Sequence, residues 1–186
     1  MNFDSIMKKK IVAFGASSSK NSINKKFSHF AAKQIMNSVI NLIDLNDFEM
    51  PIYSIDSEKD NGIPKLAYDF KLVIKKADGI IISFAEHNGV YTAAFKNIFD
   101  WISRIEKIVW YNKPMFLLST SDGSRGGISV LEIAHNRISR GNPNFIPKFS
   151  LPNFYQNFNH KTGITDQKLK KEFDKSIQIF EKNILE

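Results

Sequence analysis

The sequence predicts an α/β fold: a five-stranded parallel sheet between two layers of helix, in the doubly wound order 2-1-3-4-5. Two observations carry this expectation. Short apolar runs alternate along the chain with longer segments whose apolar residues recur at helical spacing, the pattern of strand–helix–strand units. The runs are also continuous rather than alternating, as strands covered on both faces require. Right-handed crossovers then leave few topologies.

The first strand is expected at 8–15, mainly "KKIVAFG", ending in a glycine. From Ser22 the period changes, and Ile23, Phe27, Phe30, Ala31 and Ile35 mark an amphipathic helix. "VINLIDL", residues 39–45, reads as the second strand, and "DFEMPIYSIDSEKDNGIP" as a polar, turn-rich loop. Residues 64–76 read as the second helix, with Pro64 in its first turn, where a missing N–H costs nothing. The third strand is expected at 79–84, and "GVYTAAFKNIFDWISRIEK" is the third helix. "KPMFLLSTS" contains the fourth strand, and residues 127–139 the fourth helix. "NFIPKFS" holds a fifth strand, which its prolines assign to an edge. The last helix is expected at 165–184, capped by Thr165 or Asp166 and buried through Leu169, Phe173, Ile177, Phe180 and Ile184.

With 186 residues, 42% of them hydrophobic, the chain is expected to be a single domain, 1–186, with a substantial core. It has no cysteine, which excludes a disulfide framework, a thiolate nucleophile and any cysteine-ligated metal. No stretch approaches the roughly 20 apolar residues of a membrane span, and the leader "MNFDSIMKKK" lacks the apolar centre of a signal peptide. A cytoplasmic protein is expected, without a membrane partner. The formal net charge of +7 comes mostly from scattered lysines. No base-reading motif accompanies it, so a solvated basic surface is expected rather than a nucleic-acid partner.

Ligands of open parallel sheets bind beyond the C-terminal ends of the strands. The first, third and fourth strands are followed by "GASSSKNSIN", "FAEHNGVY" and "STSDGSRGG". In the order 2-1-3-4-5 those strands are neighbours, so the three loops converge. The first opens a helix, whose unpaired N–H groups attract anions, and Ser17, Ser18, Ser19 and Ser22 add neutral donors. It lacks both the triphosphate and the dinucleotide fingerprints, so a phosphomonoester fits it best. A plainer reading makes Ser22 a helix cap and the rest a turn. The second loop offers Glu86, His87, Asn88 and Gly89. Glu86 and His87 suit acid–base work or exposure to solvent. The other histidines show no ligand spacing with them, so no metal site is expected. In the third loop Ser121 and Gly123 face the same edge, and Arg125 is either an anion contact or a solvent-facing side chain.

These motifs give a resemblance. The chain resembles the NADPH-dependent FMN reductase family, whose fold is flavodoxin-like. The family's serine-rich loop ending Ser-x-Asn is seen as Ser22-Ile23-Asn24, its Pro-Glu-Tyr-Asn-Gly segment and following helix as "AEHNGVYTAAFKNIFDW", and its Ser-x-Gly-x-x-Gly-Gly turn as residues 121–127. Ala85 stands at the usual proline and His87 at the usual tyrosine, and the first loop has serines where many members have an arginine. The resemblance implies FMN, with NADPH or NADH as electron donor and a small acceptor such as a flavin or quinone. It implies phosphate contacts from Ser17, Ser19, Ser22 and Asn24. Around the ring it implies Glu86, His87, Asn88 and Gly89 on one side and Ser121 and Gly123 on the other. No side chain need act as a nucleophile. A flavodoxin-type electron carrier without nicotinamide turnover is the alternative. Finally, the third helix is apolar over about half its circumference, where a surface helix needs an arc of ~100°. The surplus, with the family's habit of associating through this region, predicts a homodimer or homotetramer; burial under the long 45–63 loop is the alternative.

Overall fold

A computed structural model describes residues 8–186; the first seven residues of the leader lie outside them. Five parallel strands, β1 (Lys9–Ala16), β2 (Ser38–Leu42), β3 (Gly79–Phe84), β4 (Met115–Thr120) and β5 (Lys148–Leu151), form one sheet in the order 2-1-3-4-5. The order and direction are those the sequence predicts. β3 and β4 are buried at every position, as their unbroken apolar runs require. β5 is the edge, beside β4 alone.

Side chains leave β1 alternately to the two faces of the sheet. Val12, Phe14 and Ala16 join a core with Phe70, Phe84, Phe95 and Trp101, while Ile11 and Ala13 join Phe27, Phe116, Phe173 and Phe180. The helices divide accordingly. α3 (Lys65–Lys75), α4 (Ala93–Ser103) and α5 (Ile128–Ile138) cover the first core, and α1 (Ile23–Lys33) and α7 (Gln167–Leu185) the second. α7 is capped by Asp166, whose carboxylate accepts from the Leu169 amide at 2.8 Å. Pro64 is the N-cap residue of α3 and lies just outside its first turn.

Three segments depart from expectation. The stretch read as loop contains a 3-10 turn (Leu45–Phe48) and a short helix α2 (Ile55–Asn61), so β2 stops at Leu42 and Leu45 belongs to the turn. The expected start of the third helix is instead a two-residue ribbon, Glu86–His87 against Val90–Tyr91, and α4 begins only after its cap, Thr92. Beyond β5 lie a one-turn helix α6 (Phe154–Asn157) and a second ribbon, Phe158–Asn159 against Gly163–Ile164.

The first of these changes the reading of the third helix. Trp101 is only 1% exposed, its indole N–H donates to the Pro51 carbonyl at 2.7 Å, and the Tyr53 ring meets it edge-on at 5.0 Å. The Asn97 amide accepts from the Tyr53 N–H and donates to the carbonyls of Met50 and Pro51, and Arg104 pairs with Glu58. Of the surplus apolar residues, Trp101 is thus covered by residues 51–53 of its own chain and Phe99 by Trp110, while Ile108 remains 55% exposed.

Candidate active site

β1, β3 and β4 end side by side: Ala16 is in register with Phe84, and Phe84 with Ser119. The three loops therefore leave the same edge of the sheet, as predicted. They enclose an open cleft of about 310 Å³. Seven predicted residues line it: Ser17, Ser19, Ser22, Asn24, Glu86, His87 and Ser121. Asn88, Gly89 and Gly123 do not. Its floor is buried: Ser17 is 6% exposed, Ser22 7% and Asn24 3%.

The first loop is shaped by Gly15. A Cβ there would stand 2.4 Å from the Lys25 nitrogen, so only glycine lets the backbone of α1 rest on β1. Ser22 caps α1, its Oγ accepting from the Lys25 amide at 3.2 Å, and the Ser17 Oγ accepts from the Ser19 amide at 3.1 Å. A hydroxyl that accepts still has its own proton to donate. The plainer reading and the ligand reading are therefore compatible. The first amides of α1 have no helical carbonyl to bind, and its first turn carries no acidic residue.

Asn24 also has partners within the protein. Its Nδ2 donates to the Thr120 carbonyl at 3.0 Å, and its Oδ1 accepts from the Thr120 amide at 3.0 Å and the Ser83 hydroxyl at 2.7 Å. The side-chain amide joins the first loop to β3 and β4, with one Nδ2 hydrogen left to donate. Thr92, which no sequence pattern singled out, ties in the second loop: its Oγ1 donates to the Ala16 carbonyl at 2.9 Å and accepts from the Phe95 amide.

Asn88 and Gly89 form the ribbon's turn, both with positive φ, 52° and 81°. Asn-Gly is the favoured pair for such a turn, a signal present in the sequence. Gly89 is required by this conformation and not by a close approach, since a Cβ there would meet nothing within 4 Å. Glu86 reaches away from the ribbon: its Oε2 accepts from the Val130 amide at 3.0 Å. The N-cap position of α5 is Gly127, which has no side chain to offer. Glu86 supplies the missing acceptor at this helix start and binds the second loop to the third. Next to it in the ribbon, burial pushes the Tyr91 hydroxyl up to about 12.

In the third loop the constrained glycine is Gly126. A Cβ there would lie 2.5 Å from the Ser150 Oγ and 2.9 Å from the Pro152 nitrogen, at a φ of 58°. Its carbonyl accepts from both Ser119 and Ser150. The carbonyls of Ser121 and Gly123 accept from the amides of Phe154 and Asn153 at 2.9 and 3.0 Å. Arg125 is exposed and donates to Ser129, outside the cleft lining. Asp122 and Tyr155 complete the lip, and Tyr155 comes from the short helix that the sequence reading left out.

A model of the NADPH-dependent FMN reductase family matches residues 9–156. The chain belongs to that family. An NADPH azoreductase of Bacillus sp. (strain OY1-2) is 34% identical over 109 residues, 58% of this chain and 57% of that protein. An uncharacterized Mycoplasma pneumoniae protein is 34% identical over 162 residues, covering 81% of this chain and 92% of its own. The matched stretch thus spans little more than half of the azoreductase. Among solved structures, the flavoenzyme NAD(P)H:(acceptor) oxidoreductase from Paracoccus denitrificans has the same fold, with a TM-score of 0.73. It is 23% identical, with 95% of this chain and 97% of that one covered. The family match takes in all three loops and stops inside α6.

Proposed function

We propose that this chain is an NAD(P)H-dependent FMN-binding oxidoreductase, passing electrons from NADPH or NADH through FMN to a small acceptor such as a flavin or quinone. The observation that carries this reading is the convergence of three strand-end loops on one cleft, floored by serine hydroxyls at the start of α1. FMN fits that donor set. Ser17, Ser19 and Ser22 would hold the phosphate, with the first amides of α1. Asn24 would act through Thr120 and Ser83, keeping the loop against the strands. Glu86 and His87 would flank one side of the ring and Ser121 the other. Asn88 and Gly89 would contribute the shape of the ribbon, and Gly123 a carbonyl that fixes the neighbouring segment. When bound, FMN supplies the hydride and electron chemistry, and the protein's part is to orient it and leave one face open.

The whole chain is read as a single FMN-binding domain, and its lack of cysteine supports a cytoplasmic setting. A homodimer or homotetramer is supported by the bare apolar residues Ile52, Ile55, Tyr68 and Leu72 beside and on the helical layer of α3 and α4. Sedimentation tests it, a monomer at micromolar concentration sinking it. For the activity, the purified protein is loaded with FMN and mixed anaerobically with NADPH or NADH. Rapid bleaching of the flavin is expected. Bound flavin that neither nucleotide bleaches would make the chain a flavodoxin-type carrier, and failure to bind FMN would end the reading.

A further inference from the structure

We infer that Tyr155 is a specificity-determining residue for the second, flat aromatic ligand of this site, the electron acceptor; the inference rests on the FMN reading above. The cleft has two levels. Ser17, Ser22, Asn24 and Thr120 form a buried floor, whereas His87, Asp122 and Tyr155 form an exposed lip. A ligand held by the floor is met from outside across the lip. His87 and Tyr155 are the two side chains with planar rings in the lining, on separate loops, and Tyr155 is 73% exposed.

An exposed tyrosine on a mobile loop would mean little, but this one stands on a fixed mount. The Phe154 amide donates to the Ser121 carbonyl and the Asn153 amide to the Gly123 carbonyl. Phe154 itself is buried, stacked on Phe158 at 4.7 Å, and meets the Tyr155 ring edge-on at 5.6 Å. The Asn157 side chain closes the turn onto the Pro152 carbonyl at 2.9 Å. Tyr155 is thus tied to the loop predicted to flank the flavin, while most of its own surface remains uncovered. A flat partner laid against it buries apolar area on both sides and adds an aromatic contact without ordering a loop. The remaining lining is small, aliphatic or polar, so Tyr155 provides the largest planar surface that an incoming ring can meet.

The test uses oxidised, FMN-loaded protein and no nicotinamide, so that binding is read without turnover. 1,4-Naphthoquinone is titrated in and the flavin absorbance change followed. Tyr155→Ala is expected to weaken naphthoquinone binding about three- to tenfold, while Tyr155→Phe, which keeps the ring, retains it. FMN affinity, measured by fluorescence quenching, is expected to be unchanged in both. Equal naphthoquinone affinity in wild type and Tyr155→Ala overturns the inference, as does no naphthoquinone binding at all. Weakened FMN binding in Tyr155→Ala also overturns it, assigning the residue to the floor ligand. Loss of the NADPH bleaching reaction in wild type would instead sink the functional reading.

Discussion

Asn24 and Thr120 are joined like neighbouring residues of a sheet: the side-chain amide of one donates to the carbonyl of the other and accepts from its N–H, each at 3.0 Å. The pair closes a gap that the parallel strands leave open, between the start of α1 and the end of β4. Ser83 adds a third bond from β3. The relative position of two of the three loops therefore depends on one buried side chain.

Asn24→Ala leaves the Thr120 amide and carbonyl and the Ser83 hydroxyl without this partner. Each buried unsatisfied group costs roughly 1–3 kcal/mol, so a total loss of at least about 3 kcal/mol is expected in urea unfolding. FMN affinity should fall at least about tenfold, since the loop loses its anchor. Ser83→Ala removes one donor and should cost about 1 kcal/mol. An Asn24→Ala protein as stable as wild type would show that the clamp does not hold the loop.

Ser22 has two tasks that one substitution separates. As the cap of α1 it is worth about 1 kcal/mol, and Ser22→Ala should lose that much stability without ligand. As a phosphate donor it should matter for FMN and not for riboflavin. The expected result is a weaker FMN affinity with riboflavin affinity little changed, in Ser22→Ala and also in Ser17→Ala. Equal losses for both flavins would move the phosphate away from this loop.

The sheet was legible because its three central strands are buried on both faces and read as unbroken apolar runs. α2 was not, since none of its residues is buried and it has no stripe to read. It is held by the Ser54 cap and by Glu58 bridging to Arg104, partners far apart in sequence. α6 was hidden by its brevity, although Phe154 and Phe158 pack inward there. At the site, the loops were legible but the aim of their side chains was not. The bonds of Asn24 to Thr120, 96 residues away, and of Glu86 to Val130, 44 residues away, have no local signal. The turn at Asn88-Gly89 was the one local signal that should have divided the ribbon from α4.

Lys71 is 2% exposed, its Nζ donates to the Val109 carbonyl at 2.7 Å, and it lies 3.8 Å from the centre of the Tyr111 ring. Burial lowers its pKa, and Glu106 at 3.4 Å only partly opposes this. Lys71→Ala opens a cavity and strands the carbonyl, so a loss of about 3 kcal/mol is expected. Lys71→Met fills the volume and avoids burying a charge, and should cost less. The folded state holds this proton less tightly than the unfolded state. The cost of burying the charge is therefore full below the folded pKa and relieved as pH rises toward the ordinary lysine value of 10.5. Wild type should gain stability relative to Lys71→Met over that rise, measured by denaturant melts. A difference independent of pH would mean the ammonium is not held in a low-dielectric site.

Tyr91 presents the opposite sign. Its hydroxyl is buried without a hydrogen-bond partner among the described residues, and its ring packs against those of Phe84 and Phe95. Removing an unpaired polar atom relieves a desolvation cost, so Tyr91→Phe should raise stability at neutral pH by about 1 kcal/mol. Burial raises the folded pKa from 10.0 to about 12, while an unfolded tyrosine ionises near its ordinary value. The neutral hydroxyl then contributes stability that is full below pH 10 and is lost as pH climbs through about 12. Wild type should weaken over that window more than Tyr91→Phe does. Tyr111, also raised to about 12, remains in both proteins, so the variant's alkaline unfolding is delayed rather than abolished. Guanidinium melts of the two proteins at pH 7, 9 and 11 read this directly. A Tyr91→Phe protein less stable than wild type at pH 7 would mean that the hydroxyl has an acceptor after all, and the predicted gain would be wrong.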